Sequence, residues 1–180
     1  MPIIASDILL RLATAAGTAG NTLAQADPNL SLGKYISTTD VTTALHGLFD
    51  IITGAENAVS DVEYRCVFVL NNHATLTLEN AVVFMTAEVA GGAVAALAVD
   101  STAISAKGAA TVQALTVVDE QTAPAALSFV TTPVSAVTGL ALGSIPAGSV
   151  KAFWVRRSAA NTVAINADGV SLNISGDTAA

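Results

Sequence analysis

Basic residues are scarce in this chain of 180 residues. Seven Lys and Arg face fourteen Asp and Glu, which gives a formal net charge of −7, and charged residues make up only 12 % of the chain. An ordinary globular domain has about 25 %. Neutralising several phosphates requires clustered cations, and the two side chains of the adjacent pair Arg156 and Arg157 point to opposite faces if the pair lies on a strand. Direct nucleic-acid binding is therefore not expected.

Cysteine and histidine are nearly absent. The single cysteine, Cys66, excludes an intrachain disulfide and a multi-cysteine zinc site, and its place in the apolar segment 64–70 predicts a buried, inert thiol. His46 and His73 have no metal-ligand spacing, and the chain contains no nucleophile elbow, phosphate-binding loop or calcium loop. The sequence therefore predicts no catalytic residue, no cofactor-binding residue and no metal ligand, and a protein that is not an enzyme.

Long hydrophobic runs are also missing. The longest wholly apolar run in the β-rich part, residues 93–99, is far shorter than the roughly 18 residues that a membrane helix needs. The first seven residues lack the basic start of a secretory signal. We therefore expect a soluble protein, made in a reducing cytoplasm, with no membrane partner.

Alanine is what this chain has in abundance. It contains 36 alanines but only five Phe, two Tyr and one Trp. This composition predicts a thin interior packed with small side chains. Folded monomers keep charges outside and limit apolar patches to a few hundred Å². A surface so poor in charge favours coverage by neighbouring subunits, and hence an assembly protein.

Residues 1–60 lack strand periodicity and are predicted to form an N-terminal arm with one or two short helices. Ser6 and Asp7 are placed to cap a helix that carries Ile8 and Leu12 and ends near Gly17. A second helix is predicted over residues 41–52, capped by Asp40 and stopped by Gly54. The small, polar segment 18–37 between them is expected to extend over a partner; the alternative is simple N-terminal disorder.

Residues 61–180 have the alternation and turn spacing of short β-strands. Apolar side chains from Val62 to Leu70 alternate with Glu63 and Arg65 at the start of the first strand. Turn-forming residues separate about eight such segments: residues 62–70, 74–88, 94–99, 111–118, 126–130, 150–155, 162–165 and 170–174. No long helix is interleaved. The pattern predicts an all-β domain, an antiparallel sandwich of jelly-roll or Greek-key type.

The only tryptophan has two interpretations. Strand alternation places Phe153 and Val155 on one face, and Trp154 and Arg156 on the other. Trp154 is either a core anchor or, because Trp and Arg are favoured at protein interfaces, part of a contact surface. Trp154 and Arg156 are therefore the candidate interface residues.

Five segments are distinctive: residues 144–157 (SIPAGSVKAFWVRR), 167–170 (ADGV), 176–178 (GDT), 32–37 (LGKYIS) and 60–69 (SDVEYRCVFV). They resemble segments of tailed-bacteriophage virion structural proteins, and the resemblance covers residues 30–180. It implies a β-rich, non-enzymatic protein of the virion.

Within the virion, the preferred position is that of a capsid cement or decoration protein on the capsid exterior. Its implied partners are the major capsid protein and copies of itself, as a dimer or trimer. A tail, neck or baseplate component is the alternative within the same class. A receptor- or carbohydrate-binding module is the alternative from another class.

Overall fold

The computed structural model describes residues 2–178 and consists mostly of β-strands. Two 3-10 turns and one short α-helix accompany nine strands. The turns are Ala5–Asp7 and Pro28–Leu30, the helix α1 is Gly54–Val59, and the strands are β1 Ile8–Thr14, β2 Tyr35–Asp40, β3 Val62–Asn71, β4 Leu78–Thr86, β5 Val94–Val99, β6 Ser105–Ala106, β7 Leu140–Ile145, β8 Ser149–Ser158 and β9 Ser171–Thr178. The all-β class predicted from the sequence is confirmed.

The strands form two antiparallel sheets. The large sheet has the order β2-β1-β3-β8-β5, with β6 also paired to β8, and the small sheet has the order β7-β4-β9. The longest ladder joins β3 and β8, from Val62 opposite Ser158 to Leu70 opposite Val150. β1 pairs with β3, and β2 pairs with β1, so residues 8–14 and 35–40 belong to the same sheet as the strands that follow residue 61.

The large sheet is buried on both faces. On one face, Val67 and Phe153 share a hydrophobic cluster with Val83 of the small sheet. On the other face, Phe68 and Trp154 share a cluster with apolar residues of the irregular segment 100–139. A strand between two cores needs apolar residues on both sides, which is why β3 and β8 are nearly continuous hydrophobic runs.

The predicted helix that starts at Ile8 is wrong, because this segment is strand β1. Ile8 and Leu10 pack against the cluster shared by the two sheets, whereas Leu9 and Ala13 belong to the cluster on the opposite face. Side chains that alternate between two cores require a period of two, and a helix would have placed them along one stripe. Because this apolar run does not alternate with polar residues, the sequence alone did not distinguish a strand from a helix.

The predicted helix over residues 41–52 is also wrong. His46 adopts a left-handed backbone conformation with φ of 63°, and Gly47 follows it, so the segment cannot continue as a right-handed helix. Leu48 and Phe49 nevertheless pack against the sheet as part of an irregular segment. The short helix α1 begins at Gly54, the residue expected to end the predicted helix.

Three predicted strands do not form. Residues 111–118 and 126–130 contribute only single bridges, Gly33 to Thr116 and Leu97 to Val130, and residues 162–165 are loop. Residues 111–130 still pack apolar side chains on the large sheet, but Ala126 has a positive φ of 57°, which ends extended pairing there. β1, β2, β6 and β7 were not predicted.

Candidate interaction surface

Three connections meet at one end of the large sheet. Val62 of β3 and Val94 of β5 both lie opposite Ser158 of β8. The helix α1 precedes β3 there, residues 87–93 precede β5, and residues 159–170 follow β8. We call these three segments the apical loops.

Side-chain hydrogen bonds join the apical loops to one another. The side-chain nitrogen Nδ2 of Asn57 donates to the backbone carbonyl of Thr162 at 2.7 Å. The backbone amide of Thr162 donates in return to the side-chain oxygen Oδ1 of Asn57 at 3.3 Å. The Thr162 hydroxyl donates to the Gly91 carbonyl at 3.0 Å. Because these bonds tie segments far apart in sequence, the loops form one ordered surface.

The acidic side chains of the apical loops fix local backbone. The Asp168 carboxylate accepts the Ala93 amide at 2.6 Å, and the Glu88 carboxylate accepts the Ala95 amide at 2.7 Å. Glu56 accepts the Thr53 amide at 2.6 Å in a capping box that starts α1. No Lys or Arg occurs in these segments. The carboxylates of these segments therefore stabilise the backbone conformation of the apical loops.

Aliphatic side chains project from this ordered surface. Val163 is 81 % exposed, Val59 is 75 % exposed, and Val94 and Ile165 are 42 % and 36 % exposed. Exposed aliphatic side chains brought together on a sparsely charged surface are typical of a protein contact site. The apical loops are therefore the candidate interaction surface.

An ion network lies at the same end of the large sheet. Glu63 is buried, and Arg157 donates to its carboxylate through Nε at 2.7 Å and through a second nitrogen. Arg157 also pairs with the Asp50 carboxylate at 3.2 Å. Burial raises the pKa of the Glu63 carboxyl above its ordinary value, although the Arg157 charge opposes this shift.

Two arginines of this network contact one aromatic ring. The guanidinium carbons of Arg65 and Arg157 lie 4.9 Å and 4.7 Å from the centre of the Phe49 ring. Arg65 is fully buried and donates to Glu120 at 2.5 Å and to the Asn29 side chain at 2.7 Å. The network thus attaches three irregular segments to the sheet. Removing one partner would leave a buried charge uncompensated.

The structure separates the two candidate interface residues. Trp154 is 0 % exposed, and its indole Nε1 donates to the buried Asp100 carboxylate at 2.8 Å, which is the environment of a core anchor. Arg156 is partly exposed, and its guanidinium lies 5.5 Å from the centre of the Phe129 ring, which in turn packs edge-on against Tyr64. Within residues 2–178, no carboxylate forms an ion pair with Arg156.

Cys66 and His73, which were considered as catalytic residues, each have a structural environment. Cys66 is fully buried, and burial raises the pKa of its thiol well above the ordinary value. The His73 Nδ1 accepts the amides of Thr75 and Leu76, so this side chain closes a turn. Residues 2–178 contain no cluster of three or more His, Cys, Asp or Glu side chains suited to a metal ion. No helix of this part of the chain is both long and apolar enough to cross a membrane.

Sequence reasoning missed the apical loops. Residues 162–165 were predicted as a strand, and Gly54 was expected to end a helix. One signal was readable: Thr53 followed three residues later by Glu56 is a capping-box pattern that marks a helix start. The pairing of Asn57 with Thr162 spans 105 residues and has no local signature.

Comparisons with known proteins gave no relative of this chain. No model of a protein family, no curated protein and no solved structure matches it. Its function therefore has to be inferred from its own residues.

Proposed function

We propose that this chain is a non-enzymatic structural protein of a tailed-bacteriophage virion, and that it serves as a capsid cement or decoration protein. The resemblance of residues 144–157 to such proteins supplies the class. The observation that carries the proposal is the apical surface, where Val59 and Val163 are exposed on loops held together by Asn57 and Thr162. An ordered surface of this kind loses little conformational entropy when a partner covers it.

The proposed architecture is a β-sandwich of jelly-roll or Greek-key type. It is supported by the cluster that contains Val67 and Phe153 of the large sheet together with Val83 and Leu142 of the small sheet. A sandwich of this kind gives a cement protein a rigid body on which contact loops can be mounted at one end.

The proposed partner of the apical surface is the major capsid protein, on the exterior of the capsid, after synthesis in the host cytoplasm. Burying aliphatic side chains contributes about 25 cal/mol per Å² of apolar surface. A single site formed by a few aliphatic side chains binds weakly, but copies that also contact one another bind the capsid lattice multivalently. Self-association as a dimer or trimer is therefore part of the proposal.

The copy number of this chain in purified virions tests the proposed position. Quantitative mass spectrometry normalised to the major capsid protein is expected to give comparable numbers of the two chains. A few or a few dozen copies would instead favour the alternative of a tail, neck or baseplate component. Absence from virions would overturn the structural assignment itself.

A binding assay tests the apical surface. Purified protein is added to expanded capsids that lack it, and bound protein is measured after sedimentation. Val59→Asp and Val163→Asp together are expected to reduce binding at least tenfold without changing the melting temperature. Val112→Asp is the matched control, because Val112 is 51 % exposed and adjoins Gln113, which bonds to Lys34 and not to the apical loops. Equal binding by both variants would overturn this assignment.

A carbohydrate-binding module, the alternative function, would require aromatic residues at the surface. Stacking against sugars needs an exposed ring. All eight aromatic side chains are buried or partly buried: Tyr35, Phe49, Tyr64, Phe68, Phe84, Phe129, Phe153 and Trp154. A glycan array with the purified protein separates the two proposals, and specific glycan binding would favour the module.

A further inference from the structure

Arg156 is the one basic residue of the chain whose side chain makes no hydrogen bond within residues 2–178. The side chains of the other six Lys and Arg each donate to a protein oxygen: Arg11, Lys34, Arg65, Lys107, Lys151 and Arg157. The chain has fourteen Asp and Glu for seven Lys and Arg, so carboxylates are in excess. A cation that pairs with none of them is therefore unexpected and calls for a partner outside the chain.

The side chain of Arg156 is held in place by aromatic packing. Its guanidinium carbon lies 5.5 Å from the centre of the Phe129 ring, and this ring lies 5.3 Å from that of Tyr64. Val130, the residue after Phe129, exchanges two backbone hydrogen bonds with Leu97 of β5. Contact with a ring restricts a guanidinium without using its N–H donors. Arg156 is thus positioned by the sheet and keeps its hydrogen-bonding capacity.

The donors of Arg156 differ in accessibility. Nε is buried and has no hydrogen-bond partner. The terminal nitrogens Nη1 and Nη2 also make no hydrogen bond within residues 2–178, but unlike Nε they are not buried. The two oxygens of a carboxylate match the spacing of two guanidinium nitrogens and accept from both of them. The outer end of the Arg156 side chain is therefore suited to a carboxylate.

Arg156 adjoins the apical surface. In the ladder between β5 and β8, Arg156 lies opposite Ala96, and Ser158 lies opposite Val94. Residues two apart on a strand share a face, so Val94 and Arg156 lie on the same side of the large sheet. Val94 is one of the exposed aliphatic residues of the apical surface. A partner that covers Val94 therefore also reaches Arg156.

We propose that Arg156 binds an Asp or Glu carboxylate of the partner that covers the apical surface, the major capsid protein. This inference deepens the proposed function and rests on it. The carboxylate accepts hydrogen bonds from Nη1 and Nη2, and aliphatic groups beside it pack on Val94. Water is then partly excluded from the ion pair, and two charges attract each other more strongly where the dielectric constant is lower.

A protein carboxylate fits this site better than a nucleic-acid phosphate. Binding to nucleic acid depends on several cations that neutralise successive phosphates. The neighbouring arginines are already occupied, because Arg65 pairs with Glu120 and Arg157 pairs with Glu63. The apical loops contain no Lys or Arg. One unpaired arginine is enough for one carboxylate.

The acidic side chains of the apical loops give Arg156 a role in orientation. Glu88 and Asp168 accept backbone amides and retain their negative charge towards a partner. A carboxylate of the partner is repelled by these groups and attracted by Arg156 alone. Like charges brought together disfavour wrong arrangements of an interface. Arg156 therefore determines where the acidic side chain of the partner lies.

Capsid binding by Arg156 variants tests the proposal. In the sedimentation assay with expanded capsids, Arg156→Gln is expected to weaken binding about tenfold. Arg156→Lys keeps the charge but loses the planar pair of donors, so its binding is expected to be intermediate. Lys107→Gln is the matched control. It removes the same charge at the far end of β8, where the Lys107 amide donates to Gly148, and should leave binding unchanged.

Salt dependence separates an ion pair from a packing role. Raising the ionic strength from about 0.1 M to about 1 M shortens the Debye length from about 10 Å to about 3 Å. Wild-type binding should fall more steeply than binding of Arg156→Gln, so the ratio between them should narrow. A ratio that does not change with salt, together with a lower melting temperature of Arg156→Gln, would make Arg156 only a packing partner of Phe129 and overturn the proposal.

Blocking the carboxylates of the capsid tests the class of ligand. Expanded capsids are treated with a carbodiimide and glycinamide, which convert exposed carboxylates to neutral amides. Wild-type binding is expected to fall to the level of Arg156→Gln, whose own binding should change less than about twofold. An equal loss for both proteins would overturn the carboxylate as the ligand. Loss of the difference after nuclease treatment alone would also overturn it, in favour of a phosphate.

The outcomes separate this inference from the proposed function. Arg156→Gln that binds capsids as tightly as the wild type, while Val59→Asp with Val163→Asp binds weakly, would overturn the inference and leave the capsid role standing. A wild-type chain that does not bind capsids would overturn the capsid role and, with it, the inference.

Discussion

Replacing Trp154 by Phe should destabilise the fold by about 3 kcal/mol. The indole N–H donates to Asp100, which is 1 % exposed, and a hydrogen bond to a charged group contributes about 1.5–3 kcal/mol. The smaller ring also leaves a cavity in the cluster formed by Phe68, Val150 and Ala152. Full truncation of a buried Trp costs about 3–5 kcal/mol, so the partial truncation adds about 1 kcal/mol.

Urea denaturation followed by far-ultraviolet circular dichroism measures this loss without relying on tryptophan fluorescence. A loss of 3 kcal/mol corresponds to a melting temperature lower by about 6–12 °C for a chain of this length. Phe84→Leu is the control, since Phe84 is only partly buried, and should cost less than about 1 kcal/mol. A Trp154→Phe variant of unchanged stability but weakened assembly would refute the core assignment and make Trp154 an interface residue.

A double-mutant cycle isolates the hydrogen bond. Trp154→Phe and Asp100→Asn are measured alone and together. Because the two side chains are in contact, their effects should differ from additivity by about 0.5 kcal/mol or more. Strict additivity would mean that the bond contributes nothing, and that the loss comes from packing alone.

Three further perturbations address buried polar groups. The pKa of the Glu63 carboxyl is raised in the folded state, so its contribution to stability is present at acidic pH and is lost as the pH rises above 4.5 through the folded pKa. The free energy of unfolding of the wild type minus that of Glu63→Gln should therefore fall over this pH range. An increase over the same range would contradict the raised pKa. The thiol of Cys66 should react with a thiol reagent only after denaturation, whereas rapid reaction in native buffer would contradict its burial. The buried side-chain amide of Asn71 donates to the backbone carbonyls of Leu76 and Ile145. Asn71→Ala should therefore lower the free energy of unfolding, measured by urea denaturation, by about 2–4 kcal/mol.

The β-rich class was predictable because alternation and turn residues are local signals. β5 was predicted with its observed bounds, and β3 was predicted to within a residue at each end. The split of Phe153 and Trp154 between two faces was also predictable, because successive strand residues point to opposite sides. These predictions need no knowledge of what the strands pair with.

The N-terminal strands could not be predicted because their partners are distant in sequence. Ile8 in β1 pairs opposite Asn71, and only that pairing decides between a strand and a helix for an apolar run. Likewise, the ion network brings Asp50, Glu63 and Arg157 together from three segments. No spacing within one segment could have indicated it.

The central ladder between β3 and β8 has a consequence for how the chain folds. Its residues are separated by about 80 to 96 positions, from Leu70 opposite Val150 to Val62 opposite Ser158. Contacts between such distant residues close large loops, and folding dominated by them is slow. During synthesis, β3 leaves the ribosome long before β8 exists, so the apolar side chains of β3 lack their main neighbour until residue 158 has emerged. A nascent chain of this protein should therefore depend on chaperones that shield exposed strands until translation is nearly finished.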